Sequence, residues 1–325
     1  MRAAALQRLR CPRCHAAYEA QPMSMADGAF VNGSLHCECD TAVPIVEGVP
    51  RFVSDDGYTK SFSFEWQRHR DTQLDSANRS LRSAEAFQRR LDVPLASLKD
   101  QLVLDAGCGM GRYSEVLARV GAEVVAVDRS QAAAVAHENL RSWTNVHVLQ
   151  ADLLELPFAP ETFDLVFSFG VIHHTPNPAA TFHALARLVK PGGKLAVFVY
   201  SAYNKPIVYS SAFWRTMTTR LPRPLLHAFC FISVPLYYVY RLPLVGHLGK
   251  ACFVISMEPN WRWRWLDTFD WYSAAYQSKH THAEAFRWFE VAGFSNIKIF
   301  DGEVTMLGSK LAPQPEFAGV APHEA

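Results

Sequence analysis

The sequence predicts an α/β fold built on a parallel sheet, and three observations carry that prediction. Between Gln101 and Tyr200, short β-rich apolar runs alternate with segments of helical periodicity. The first of these runs passes through a glycine-rich turn directly into a helix pattern. Near its end, Pro191-Gly192-Gly193 is expected to stop a helix and turn into the next strand.

The elements follow in order. QLVLD is the first strand and MGRYSEVLARV its helix. EVVAVD and QAAAVAHENL are the second pair, and NVHVLQ is the third strand. FDLVFSF, the helix AATFHALARLV and the strand KLAVFVY come next. Residues 201–266 break the alternation, being aromatic, apolar and punctuated by proline. The pattern then resumes with the helix HAEAFRWFEVAGF, ending at Gly293, and the strands NIKIF and VTMLG.

Around this core the chain divides by composition. Residues 1–53 hold four of the seven cysteines, and 54–100 are a polar, aromatic and charged helical linker. Residues 101–310 form the main domain, with 201–266 as a helical insertion, and the Pro/Ala-rich tail 311–325 is expected to be disordered. The chain of 325 residues is 49% hydrophobic and 19% charged, enough for a sizeable core. A net charge of +1 provides no field favouring nucleic acid. MRAAALQRLRCPRC lacks the apolar core of a signal peptide, and an odd cysteine count fits a reducing compartment. A cytosolic location is therefore the default. Oligomeric state has no signature in the sequence.

The turn after the first strand is the sharpest local feature. Its glycines fall at 107, 109 and 111, whereas a dinucleotide turn asks for a third glycine at 112, where Arg112 stands. A P-loop would need Gly-Lys-Ser/Thr, which Met110, Gly111 and Arg112 do not supply. What remains is a strand-to-helix turn whose small residues let a ligand approach the backbone. Asp105 precedes the turn, Asp128 ends the second strand, placed for ribose hydroxyls, and Asp152 follows the third, placed for an exocyclic amine. An acid near each of three successive strand ends, without a Lys/Arg cluster for phosphate, suits a cationic nucleoside. The competing explanation is packing glycines and helix-capping aspartates.

DAGCGMG, AVDRS, QADLLELPF, FDLVFSFGVIHHTPNP and LVKPGGKLAVFVY resemble, in order and spacing, the signature runs of class I S-adenosylmethionine-dependent methyltransferases of the type 11-like kind. The resemblance covers roughly residues 101–200, and 267–310 look like the remaining helix and strands. It implies a Rossmann-like seven-stranded sheet of order 3-2-1-4-5-7-6 with the last strand antiparallel, and S-adenosyl-L-methionine as methyl donor. It also implies roles: Asp105, Gly107, Gly109 and Gly111 at the methionine moiety, Asp128 at the ribose, Asp152 and Leu153 at the adenine, with Arg129 also among the cofactor-binding residues. Phe169 and Gly170 would lie beneath the ligand.

CPRC, Cys11 to Cys14, and HCEC, His36 to Cys39, are two close pairs of soft ligands that suggest tetrahedral, structural zinc. The stretch also resembles the small zinc ribbon found ahead of many bacterial methyltransferases and the tRNA-methyltransferase activator proteins. The expected ligands are Cys11, Cys14, Cys37 and Cys39, with His36 replacing Cys37 as the alternative; a metal-free ribbon is the competing reading. Cys108, Cys230 and Cys252 are expected to be small buried hydrophobes.

Methyl transfer needs alignment of acceptor, methyl and sulfur, and a hydroxyl or carbon acceptor needs a base. His173 and His174 lie just past the fourth strand and are the catalytic candidates, His173 first, with a lining role as the alternative. Tyr200, Tyr203, Asp270 and His280 are rival pocket residues, and Phe62, Phe64 and Trp66 are candidates for a lid. PLLHAFCFISVPLYYVY has no charged residue and suits a helical hairpin over an apolar pocket, while WRWRW suits a lipid boundary. Peripheral contact with the inner face of a membrane through 224–265 stands beside a plain buried extension. The expected acceptor is small or lipid-linked and partly apolar: a glycolipid, a quinone-type precursor or a secondary metabolite. An RNA methyltransferase and a non-catalytic S-adenosylmethionine-binding module are the alternatives, and nucleic acid is disfavoured by the charge balance.

Overall fold

The computed structural model describes residues 2–312, so most of the tail expected to be disordered lies outside the described residues. The N-terminal part has a short helix α1 (Ala3–Leu6) and an antiparallel sheet of β1 (Glu19–Ala26), β2 (Ala29–His36), β3 (Ala42–Val46) and β4 (Val49–Pro50). Asp27-Gly28 and Glu47-Gly48, all at positive φ, close the β1–β2 and β3–β4 hairpins, as two-residue turns of matching twist require. This ribbon is not on a free tether. The Phe52 N–H donates to the Gln150 carbonyl, and the Arg8 guanidinium grips Glu123 at 2.7 Å. Leu9, Leu35 and Ile45 join the apolar core of the main domain.

The linker forms α2 (Lys60–Arg68), α3 (Asp75–Asn78) and α4 (Arg82–Leu91). The main domain follows with β5 (Leu102–Ala106), α5 (Arg112–Val120), β6 (Glu123–Asp128), α6 (Ala132–Leu140), β7 (Val146–Gln150), β8 (Phe163–Phe169), α7 (Pro178–Arg187) and β9 (Val189–Val199). Four insertion helices come next, α8 (Lys205–Thr218), α9 (Arg223–Cys230), α10 (Ser233–Tyr240) and α11 (Pro243–Cys252), then α12 (Trp261–Ser273). The chain closes with α13 (His282–Val291), β10 (Phe294–Phe300) and β11 (Val304–Lys310).

The seven strands order as β7-β6-β5-β8-β9-β11-β10, which is 3-2-1-4-5-7-6 in core numbering, with β11 antiparallel to β9 as expected. Strand β5 is buried along its whole length because parallel neighbours flank it and helices cover both faces, hence the apolar run Leu102–Leu104 ahead of the buried Asp105. Helix α13 begins in a Thr281/Glu284 capping box, and Gly293 at φ 76° follows its end.

Two expectations are corrected. Pro191-Gly192-Gly193 does not precede the fifth strand but lies inside β9, where pairing with β8 jumps from Val189 to Lys194. A proline and two glycines fit an irregular bulge that leaves the ladder, which is why the helix stop falls earlier, at Leu188. Cys252 is exposed, at the end of α11, whereas Cys108 and Cys230 are buried as expected.

Candidate active site

The sheet order sends the chain one way from β5 to β6 and the other way to β8, leaving a crevice at the carboxyl ends of these strands. A cleft of about 1210 Å³, open mouth included, occupies that place. Among the residues assigned to the cofactor from sequence, Asp105, Gly107, Gly109, Asp128, Arg129, Leu153, Phe169 and Gly170 line it. Gly111 and Asp152 do not.

The glycines have separable jobs. At Gly107, φ is +91° and an added Cβ would lie 2.4 Å from both Val171 methyls, so the turn tolerates no side chain. At Gly109, φ +53°, an added Cβ would lie 3.1 Å from the Trp66 ring. Gly111 begins α5, and its added Cβ would meet Leu140 Cδ1 at 2.7 Å. Its role is helix packing, the alternative weighed for all three.

Asp105 is buried and accepts the Ser114 hydroxyl at 2.7 Å, and burial pushes its carboxyl up to about 7. Asp128 Oδ1 accepts the Ser130 N–H at 2.8 Å and its hydroxyl at 2.6 Å, and Oδ2 accepts the Gly109 N–H at 3.0 Å. A carboxylate has about four acceptor directions, so one is left for a ligand hydroxyl. Asp152 is turned elsewhere: Oδ2 takes Arg129 Nε at 2.8 Å and Oδ1 caps the Leu154 N–H at 3.0 Å. Arg129 also lies over the Tyr58 ring, 5.0 Å from its centre, and so ties the β6 and β7 ends to the linker. A turn stripped of side chains, a nearly saturated acid at the β6 end and a second buried acid form a cradle that a sulfonium nucleoside fits.

The two histidines exchange rank. His173 is fully buried between His174 and Tyr200, with ring centres at 4.1 and 3.9 Å, and does not line the cleft. Burial drives its pKa well below the ordinary histidine range. His174 reaches the cleft wall. Its Nδ1 lies 2.8 Å from the Tyr276 carbonyl, which can only accept, so Nδ1 carries the proton and Nε2 keeps a lone pair. Among the described residues, neither the buried Nε2 nor the buried Asp270 Oδ1, 3.8 Å away, has a hydrogen-bond partner. Burial lowers the His174 pKa, with Asp270 opposing, so the ring is neutral near pH 7.

Of the rival residues, Tyr200 and Asp270 line the cleft, joined by a 2.8 Å hydrogen bond. Tyr203 is instead exposed and stacked on His282, and His280 pairs with Ser278 and Glu284. Among the lid candidates, Phe62 and Trp66 line the cleft one helical turn apart. Phe64 points the other way, against Phe269 and His227.

Sequence reading missed two acids. Glu65 is on the Phe62/Trp66 side of α2, buried, with Oε2 unpartnered; burial, then Asp270 and Asp267, raise its pKa well above the carboxylate range. Asp267 on α12 is pushed up to about 7 by burial. Helical spacing in SFSFEWQ, with Phe62, Glu65 and Trp66 at i, i+3 and i+4, was the available signal for the first.

At the other end of the chain, the sulfurs of Cys11, Cys14, Cys37 and Cys39 all lie within 4.8 Å of one another. The separations between Cys14 and Cys37, Cys11 and Cys39, and Cys37 and Cys39 are 3.1, 3.6 and 3.8 Å. A tetrahedral zinc tetrathiolate places its sulfurs about 3.8 Å apart, so the set fits such an ion. His36 turns its Nε2 to the Ser34 hydroxyl at 2.7 Å and is not in the set, which removes the alternative ligand.

Residues 104–197 match the family model described as "Methyltransferase domain". The chain carries a methyltransferase domain. Its relatives include the ubiquinone biosynthesis O-methyltransferase of Alkalilimnicola ehrlichii, 40% identical over 34% of this chain and 45% of the relative. A probable S-adenosylmethionine-dependent methyltransferase of Mycobacterium tuberculosis is 37% identical, over 38% of this chain and 43% of its own length. The matches thus span about half the length of such relatives, 45%, 50% and 55% for three of the ubiquinone enzymes. Among solved structures, a SAM-dependent methyltransferase from Aquifex aeolicus aligns with TM-score 0.41 and 15% identity, over 79% of this chain and 98% of that one. The glycine turn and all the strand-end acids lie inside the matched segment of the methyltransferase domain, whereas the linker, ribbon and insertion lie outside it.

Proposed function

We propose that this chain transfers the methyl group of S-adenosylmethionine to a hydroxyl of a small, partly apolar acceptor, and that zinc holds its N-terminal ribbon. The donor supplies, when bound, a methyl on a cationic sulfur, an electrophile that needs only alignment. Asp105, the Gly107–Gly109 turn and Asp128 hold it, while Trp66 and Phe62 cover the cleft and exclude water. His174 Nε2 takes the acceptor's hydroxyl proton, and Asp270 favours the imidazolium that results.

The observation that carries this reading is the His174 tautomer fixed by the Tyr276 carbonyl, which leaves a buried Nε2 without a partner among the described residues, 3.8 Å from Asp270 Oδ1, on a residue that lines the cleft. A neutral imidazole nitrogen without a proton accepts a hydrogen bond, so it favours an acceptor that donates one. The names of the O-methyltransferase relatives support oxygen as the methylated atom. Rings of Tyr58, Phe62, Phe169, Phe198 and Tyr200 supply apolar surface, in keeping with a quinone-type, glycolipid or secondary-metabolite acceptor. RNA is disfavoured by a net charge of only +1, which gives the chain no general attraction for a polyanion.

The test is incubation with tritium-labelled S-adenosylmethionine and a cell extract, followed by partition between water and organic solvent. Label in an organic-soluble, alkali-stable ether is the expected outcome. Label in RNA would refute the acceptor class, and no transfer with intact donor binding would favour a binding module.

A further inference from the structure

Helix α8 is amphipathic the wrong way round for a structure surrounded by water, and the insertion helices after it also carry apolar side chains on their outer sides. In α8 the outward stripe is Tyr209, Phe213 and Met217, at i, i+4 and i+8, while the buried positions are Ser210, Ser211 and Thr218. Helix α9 shows Leu225 and Phe229 to solvent, and α11 shows Leu244, which is 83% exposed, and Leu248. More than half of the exposed large hydrophobic side chains among the described residues lie in the single stretch from Tyr209 to Leu248. A patch of this size marks an interaction surface.

Its charge is one-sided. No aspartate or glutamate occurs between Asp164 and Glu258, whereas Lys205, Arg215, Arg220, Arg223 and Arg241 fall within the insertion. Lys205, Arg220, Arg223 and Arg241 are exposed and make no ion pair among the described residues. Among the described residues, no helix is long and apolar enough to cross a membrane.

We infer that the α8–α11 face seats the protein on an anionic bilayer surface, its apolar stripes in the headgroup boundary and its arginines on lipid phosphates. Apolar side chains interleaved with unpaired cations on short helices match an interface that is oily within and negative at its rim. A second copy of the chain is a poorer occupant, since a two-fold contact would set this basic patch against itself. Helices α8, α9 and α10 pack on α12, whose Leu266, Asp267 and Asp270 line the cleft, so the docked surface and the cleft share one helix.

The full chain, without added S-adenosylmethionine, is floated with phosphatidylcholine vesicles containing or lacking phosphatidylglycerol. This readout is independent of the cofactor reading. Binding is expected only with the anionic lipid and should weaken as salt rises. A triple Arg220→Gln, Arg223→Gln, Arg241→Gln variant should lose binding roughly 100-fold, about fivefold for each charge removed near the surface. Phe213→Ser with Leu244→Ser, both at exposed positions, should weaken it without changing the circular dichroism. Equal binding to both vesicles, no binding to either, or a lipid-free dimer that the Phe213→Ser/Leu244→Ser variant dissociates would each overturn the proposal.

Discussion

Replacing Asp128 with alanine tests how the cleft recognises its donor. The side chain accepts three hydrogen bonds, from the Ser130 N–H and hydroxyl at 2.8 and 2.6 Å and from the Gly109 N–H at 3.0 Å, and has one acceptor direction left. Losing a hydrogen bond to a charged acceptor costs about 1.5–3 kcal/mol, so donor affinity should fall roughly 10- to 150-fold. The glycine turn also loses the acceptor that fixes Gly109, which pushes the effect towards the upper end. Asp128→Asn should do comparable damage, because the new amide sets either a donor against the Gly109 N–H or one against Ser130. Asp152→Asn is the contrast: its carboxylate serves Arg129 and Leu154 outside the cleft wall, and the loss should stay under about fivefold. Isothermal titration calorimetry with S-adenosylmethionine, on variants shown to be folded, measures all three. An unchanged dissociation constant for Asp128→Ala would refute the ribose assignment.

Other outcomes follow from the same geometry. His174→Gln should lower kcat by roughly 10²–10⁴ with donor affinity unaltered; full turnover in a stopped assay of S-adenosylhomocysteine release would reduce His174 to a lining residue. Elemental analysis should find one zinc per chain, and Cys14→Ser or chelation should lower the melting temperature by several degrees, about 2–4 °C per kcal/mol lost. A metal-free protein of unchanged stability would exclude structural zinc. Burial holds the Asp267 pKa at about 7, above its unfolded value, so its contribution to stability is present in full at low pH and is lost as pH rises through 7. The Asp267→Asn variant lacks this loss. Its unfolding free energy relative to the parent, followed by urea denaturation, should therefore climb between about pH 4 and 7, at up to about 1.4 kcal/mol per pH unit, and then level off. A difference that stays flat across the window would show Asp267 to be ionised throughout.

The strands were legible because parallel neighbours bury both faces of β5, β6 and β8, leaving largely apolar runs between turn residues. Pro191-Gly192-Gly193 misled because the same residues that stop a helix also make a bulge, and only pairing with β8 distinguishes the two. At the site, residues whose job is steric exclusion were readable, Gly107 above all. Asp152 was not, since its direction depends on Arg129, a neighbour that spacing cannot orient. His173 and His174 are adjacent in sequence, and only the fold shows that His174 lines the cleft and that the carbonyl of Tyr276, far along the chain, fixes its tautomer. Glu65 escaped notice because it belongs to a helix outside the main domain, brought over the cleft by packing against α6 and α12.

A crystal structure grown with excess S-adenosylhomocysteine tests the central claim most directly. The expected density lies against Gly107 and Gly109, with ribose hydroxyls on Asp128 Oδ2 and the ring of Trp66 closing over it. A vacant cleft at saturating ligand, or a nucleoside bound anywhere else on the chain, would contradict the account.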